Sequence, residues 1–126
     1  MAIGMKRSIR DMKIVKNDFC GELREILNTE EYPEVSVAAL EDVRPNKGHY
    51  HKICDEIYWM LKGGIEVELH DPSSGRTWTE RVSEGELLLV RKGIHHKIKS
   101  SSGKNTLCAV THPRWEAEDE HESDVI

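Results

Sequence analysis

His49 and His51 flank Tyr50 directly after the turn sequence Pro45-Asn46-Lys47-Gly48. In extended backbone, residues two apart share a face, so this spacing predicts two imidazoles presented together. Glu56 follows five residues after His51 and can return to the same place across a tight bend, adding a hard anionic oxygen to two borderline nitrogens. His96 would complete the set from a distant strand. Side chains of these types gather around a divalent metal, which polarises the oxygens of a small substrate and acidifies its neighbouring protons. An isolated His-x-His pair carries little weight by itself; the spacing to neighbouring glycines adds to it.

These groups need rigid elements to hold them, and the pattern of apolar residues says which kind. No apolar run at helical spacing lasts three turns with caps, whereas short alternating or β-branched runs recur about every ten residues. An all-β chain is predicted, with strands over Lys13–Val15, Leu23–Leu27, Val35–Leu40, Ile57–Leu61, Ile65–His70, Thr77–Val82, Glu86–Val90, His96–Lys99 and Thr106–Thr111. Gly21–Ile26 also fits one short helical turn. Turn signals separate the runs, among them Lys62-Gly63-Gly64, Asp71-Pro72-Ser73-Ser74-Gly75, Ser83-Glu84-Gly85 and Ser100-Ser101-Ser102-Gly103. Such regular spacing suggests a sandwich or a barrel.

Composition limits the partners. The 126 residues are 37% hydrophobic and 33% charged, the profile of one globular domain, and the net charge of −5 argues against nucleic acid or a membrane surface, both polyanionic. The basic cluster Lys6, Arg7, Arg10 and Lys13 is short, and the acidic run Glu116, Glu118, Asp119, Glu120, Glu122 and Asp124 is expected to be a solvated, mobile tail. No apolar stretch reaches transmembrane length and no secretory signal is visible, so a cytoplasmic protein is expected. Cys20, Cys54 and Cys108 are odd in number and lack a C-x-x-C pair; they are expected to be reduced thiols.

The chain resembles the small single-domain cupins. Their first motif, G-x5-H-x-H-x(3,4)-E-x6-G, is matched by His49, His51, Glu56 and Gly63, and their second, G-x5-P-x-G-x2-H-x3-N, by Gly85, Gly93 and His96. Val43, Arg91 and Ser100 stand where those motifs carry Gly, Pro and Asn; none of the three is a ligand position. The resemblance covers about 35–111 and implies a double-stranded β-helix jelly-roll barrel over 35–112, with N-terminal strands in 1–34 packing on it and an acidic tail over 113–126. It also implies His49, His51, Glu56 and His96 as ligands to one divalent ion per chain, Fe, Mn, Ni, Co or Zn. His95 competes for the last ligand place, but alternation along the strand sends it to the face opposite His96, which is the expected ligand.

Alternation places Tyr58 and Met60 on the face of Glu56, making Tyr58 the candidate catalytic proton carrier and Met60 a candidate for the substrate pocket. Ile57, Trp59 and Leu61 point the other way, an outward apolar face that predicts a homodimer. Glu66, Glu68 and His70 are expected to face water. A metal-dependent isomerase, epimerase or lyase acting on a sugar, sugar phosphate or sugar acid is the favoured function. An Fe(II) dioxygenase and a non-catalytic small-molecule-binding module are the alternatives.

Overall fold

The computed structural model describes residues 4–17 and 21–126. Cys20 lies outside the described residues; Cys54 and Cys108 are free thiols. Among the described residues eleven strands follow in order: β1 (Ile14–Asn17), β2 (Gly21–Thr29), β3 (Tyr32–Glu41), β4 (His49–Tyr50), β5 (Asp55–Lys62), β6 (Gly64–Asp71), β7 (Arg76–Ser83), β8 (Leu87–Val90), β9 (His95–Ser101), β10 (Thr106–His112) and β11 (His121–Glu122). No α-helix occurs among the described residues; Ile9–Asp11 and Ala117–Asp119 form single 3-10 turns. Among them, too, no helix is long and apolar enough to cross a membrane.

The strands form two antiparallel sheets, one of six strands in the order β1-β2-β3-β10-β5-β8 and one of five in the order β11-β4-β9-β6-β7. This is the jelly-roll arrangement of facing sheets, although hydrogen bonding does not run continuously around a closed barrel. The segment Gly21–Ile26 is strand and not helical turn, because its backbone pairs with β1 on one side and β3 on the other.

Alternation sorts β5 as its sequence predicts. Glu56, Tyr58 and Met60 are buried between the sheets, and Trp59 and Leu61 are exposed on the other side. The core joins Leu40, Tyr58, Met60 and Leu107 of the larger sheet to Ile65, Val67, Leu69 and Ile98 of the smaller one. Met60, Val67 and Leu107 are fully buried, and such burial contributes roughly 1.5–3 kcal/mol for each large apolar side chain. Gly63 makes the β5–β6 reversal at φ 74. Any Cβ there would run into Ser102 Oγ and come within 2.6 Å of the Lys104 carbonyl, so only glycine fits.

Two expectations fail. His70 does not face water: it is buried, its Nδ1 lies 2.8 Å from Thr77 Oγ1, and its ring meets that of His95 edge-on at 5.6 Å. The acidic tail is no mobile appendage. β11 pairs with β4, Asp119 is 5% exposed, and the Ser123 amide donates to the Gly48 carbonyl at 2.9 Å. Asp119 accepts backbone amides and Glu120 accepts side-chain donors, which replaces the hydration that the charge run alone would demand.

Candidate metal centre

The loop before β4 fixes where the first histidine arrives. Asn46 bonds β9 twice: its amide donates to the Ile98 carbonyl at 3.2 Å, and its Oδ1 accepts the Ile98 amide at 2.7 Å. Asn105, fully enclosed, holds the same loop through both polar atoms of Val43. Thus anchored, β4 pairs with β9 so that His49 lies directly opposite His96. His51 follows just past the end of the two-residue strand, and Glu56 arrives from β5 in the facing sheet. Both sheets therefore contribute to one buried cluster.

One ligand atom from each of His49, His51, Glu56 and His96 lies within 4.8 Å of all the others. His96 Nε2 is 3.2 Å and His51 Nε2 3.7 Å from Glu56 Oε1. Atoms bound 2.0–2.2 Å from a common ion would stand about 3 Å apart when adjacent and about 4.2 Å when opposed, so a small contraction suffices. Each imidazole is turned by its other nitrogen. The Nδ1 groups of His49, His51 and His96 donate to the carbonyls of Lys47 (3.1 Å), Asp119 (2.9 Å) and Ile94 (3.0 Å). That fixes the tautomer and leaves the Nε2 lone pairs for the cluster. His51 Nε2 is buried with no hydrogen-bond partner among the described residues, a cost that an ion removes. The donor set fits a divalent metal.

The electrostatics agree. Burial, then the neighbouring His96, lowers the His49 pKa to about 3, keeping this imidazole neutral. Burial also works against a charge on His51, but the adjacent Cys54 and the Glu56 carboxylate, 3.7 Å away, outweigh it and raise that pKa to about 11. Burial pushes Glu56 upward, and the neighbouring His51 and His96 imidazoles overcome it, holding the carboxyl well below its usual range. A buried carboxylate balanced by a proton is a site where an ion can replace that proton, so metal uptake releases one.

His95 points away from the cluster. Its ring stacks on Tyr50 at 4.2 Å and its Nδ1 lies 2.7 Å from Ser123 Oγ. Tyr58 sits beside the cluster, its ring edge-on to His96 at 6.0 Å, and Met60 is fully enclosed in the core. Neither lines the cavity that adjoins Glu56. Ser36, Thr111, Trp115, Glu25 and Glu120 do. Ser36 and Thr111 hydrogen-bond to each other through their hydroxyls, and Trp115 donates from its indole to Glu120 at 2.9 Å. Arg91 lies outside this cavity, 67% exposed and paired with Asp55 at 3.3 Å.

The sequence reading missed Asp119. Its carbonyl orients His51, and its carboxylate accepts the amides of Lys52 (2.8 Å), Ile53 (3.0 Å) and Cys54 (3.0 Å), clamping the turn that joins His51 to Glu56. Burial alone would raise its pKa; these amides hold it below the usual value. No local pattern marks it, because one aspartate in an acidic run looks like its neighbours.

Comparison with solved structures supports the same architecture. A protein from Planctomyces limnophilus superposes with a TM-score of 0.75 at 20% identity, over 95% of this chain and 97% of that one. Oxalate decarboxylase from Bacillus subtilis gives 0.78 at 21% identity over 97% of this chain; the chain spans about a third (32%) of the decarboxylase. Streptomyces PAC13 with uridine gives 0.72 at 13% identity, over 98% and 93% of the two chains. No family model and no curated protein matches the chain.

Proposed function

We propose that this chain, a small protein of the cupin fold with a His-His-Glu-His metal site, is a metal-dependent isomerase, epimerase or lyase acting on a small oxygen-rich metabolite. The observation that carries it is the convergence of three carbonyl-oriented Nε2 atoms and one buried carboxylate beside a cavity. The neighbours of this fold range from an oxalate decarboxylase to a protein solved with uridine, so fold alone selects no substrate.

A divalent ion held by His49, His51, Glu56 and His96 supplies Lewis-acid polarisation of a substrate oxygen. The remaining chemistry belongs to the chain. The wall of the cavity beside Glu56 combines leucine, alanine and tryptophan side chains with the polar groups of Ser36, Thr111, Glu25 and Glu120. Glu120, held by Trp115 Nε1 at 2.9 Å and Asn17 Nδ2 at 3.0 Å, is the group we assign to accept the substrate proton. Tyr58, the proton carrier expected from sequence, is assigned instead to positioning His96, against which it packs. The outward apolar face around Trp59 is proposed to pair with a second copy, as a homodimer.

The test combines metal content with isotope exchange. Purified protein should carry about one divalent ion per chain, turn over a sugar-like compound without oxygen, and incorporate solvent deuterium into product. Strict dependence on O2 and iron would move the chain to the dioxygenases. Bound metal with no turnover on any polyol or sugar acid would leave a binding module.

A further inference from the structure

Strand register sets the floor of the cavity beside Glu56. Thr111 on β10 stands between Ser36 on β3 and Glu56 on β5, so one row of the inner face reads Ser36, Thr111, Glu56. The next row reads Ala38, Ala109, Tyr58. Small side chains at Ser36, Ala38, Thr111 and Ala109 leave a space of about 50 Å3, room for about three to five water-sized groups. Opposed residues on neighbouring strands lie about 5 Å apart, which puts Thr111 one strand from a member of the ligand set.

The hydrogen-bond count in this row does not close. Ser36 and Thr111 are both buried, Ser36 Oγ accepts the Trp115 amide at 3.2 Å, and the two hydroxyls bond to each other. Two hydroxyls carry two hydrogens and the bond between them uses one, so the second finds no acceptor among the described residues. With Ser36 donating to Thr111, each oxygen accepts once and donates once, and bonds aligned in this way polarise one another. The spare hydrogen is then that of Thr111, on the side of Glu56. The other side-chain donors of the wall are engaged: Trp115 Nε1 and Asn17 Nδ2 with Glu120, and Asn28 Nδ2 with Glu25 and the Trp115 carbonyl. We infer that Thr111 is a specificity-determining residue whose hydroxyl donates to a second oxygen of the substrate, on the carbon next to the one whose oxygen faces the ligand set. This rests on the metal-dependent function proposed above and narrows its substrates to molecules with oxygens on neighbouring carbons.

Hydroxyacetone and butanone have the same number of non-hydrogen atoms and no charge, and differ in a hydroxyl where the other has a methyl group. Each is titrated into Mn(II)-loaded protein, with binding read from the paramagnetic relaxation of the ligand protons and metal content measured on the same sample. Hydroxyacetone should bind at least about tenfold more tightly. Contact of either ligand with the ion is common to all variants, so only the Thr111 contribution changes between them. Thr111→Val, which keeps the shape and loses the hydroxyl, should reduce the preference at least about threefold, whereas Thr111→Ser, which keeps the hydroxyl, should stay within about twofold of the wild type. Ser36→Ala, which removes the hydroxyl that polarises Thr111, should reduce it at least about twofold and keeps the test decisive if the valine variant does not fold. No preference in the wild type, a preference unmoved by Thr111→Val and Ser36→Ala, a preference lost equally in Thr111→Ser, or loaded protein that binds neither ligand would each overturn the inference. Protein that takes up no metal would overturn the metal centre, and the inference with it.

Discussion

Replacing Asp119 with alanine removes three amide hydrogen bonds from one turn. The Cys54 amide is buried, and stranding a buried donor costs about 1–3 kcal/mol; the Lys52 and Ile53 amides lie nearer solvent, recover bonds to water, and account for about 0.5–1 kcal/mol each. Unfolding free energy should therefore fall by about 2–5 kcal/mol, read by urea denaturation of the metal-free protein. Asp119→Asn, which keeps one acceptor oxygen, should cost about half as much. The turn from His51 to Glu56 also spaces two ligands, so metal affinity, read by competition with a chromophoric chelator, should drop about 10–100-fold. Glu118, exposed in the same 3-10 turn, provides the control. If Asp119→Ala matched Glu118→Ala in both stability and metal affinity, the clamp would be refuted.

His96→Ala should strip the metal whereas His95→Ala should retain it, since His95 faces Tyr50 and Ser123; elemental analysis of both variants decides, and the reverse result would overturn the ligand assignment. Because the Asp119 pKa is depressed on folding, its contribution to stability is fully present above the ordinary Asp value of about 3.9 and is lost as pH falls through the lower folded value. Asp119→Asn should flatten that acid limb in denaturation measured between neutral pH and the onset of acid unfolding; an unchanged limb would count against it. Light scattering at micromolar concentration should give twice the chain mass for the wild type. Leu87→Glu, placed opposite Trp59 on the outer face, should give a monomer, and a monomeric wild type would remove the dimer.

The buried cluster of His49, His51, Glu56 and His96 was legible in the sequence because residue types and spacing there match the motifs that the chain resembles, and the strands of the core because period-two alternation survives wherever one face is buried. What escaped detection lacks a local signal. β4 and β11 are two residues long, too short for any period, and are strands only because partners meet them. Gly21–Ile26 fits helix and strand equally until β1 and β3 pair with it. His70 reads as a polar turn residue, yet Thr77 and His95 enclose it from other strands. Asp119 and Glu120 read as solvated charge, and their roles depend on amides and an indole supplied by the rest of the fold.

The separation of the ligands along the chain governs the order in which the centre assembles. His49, His51 and Glu56 lie within eight consecutive residues, whereas His96 meets Glu56 across 40 residues and Asp119 meets His51 across 68. Chain entropy is lost in closing such loops before the contacts return any stabilisation, which makes topologies of this kind fold over milliseconds to seconds. A three-ligand clasp can thus form as soon as the 49–56 turn bends, and the fourth ligand and its brace close only when both sheets reach register. Metal supplied during refolding should therefore act on that early clasp and change the rate at which the native state is reached as well as the stability of the finished protein.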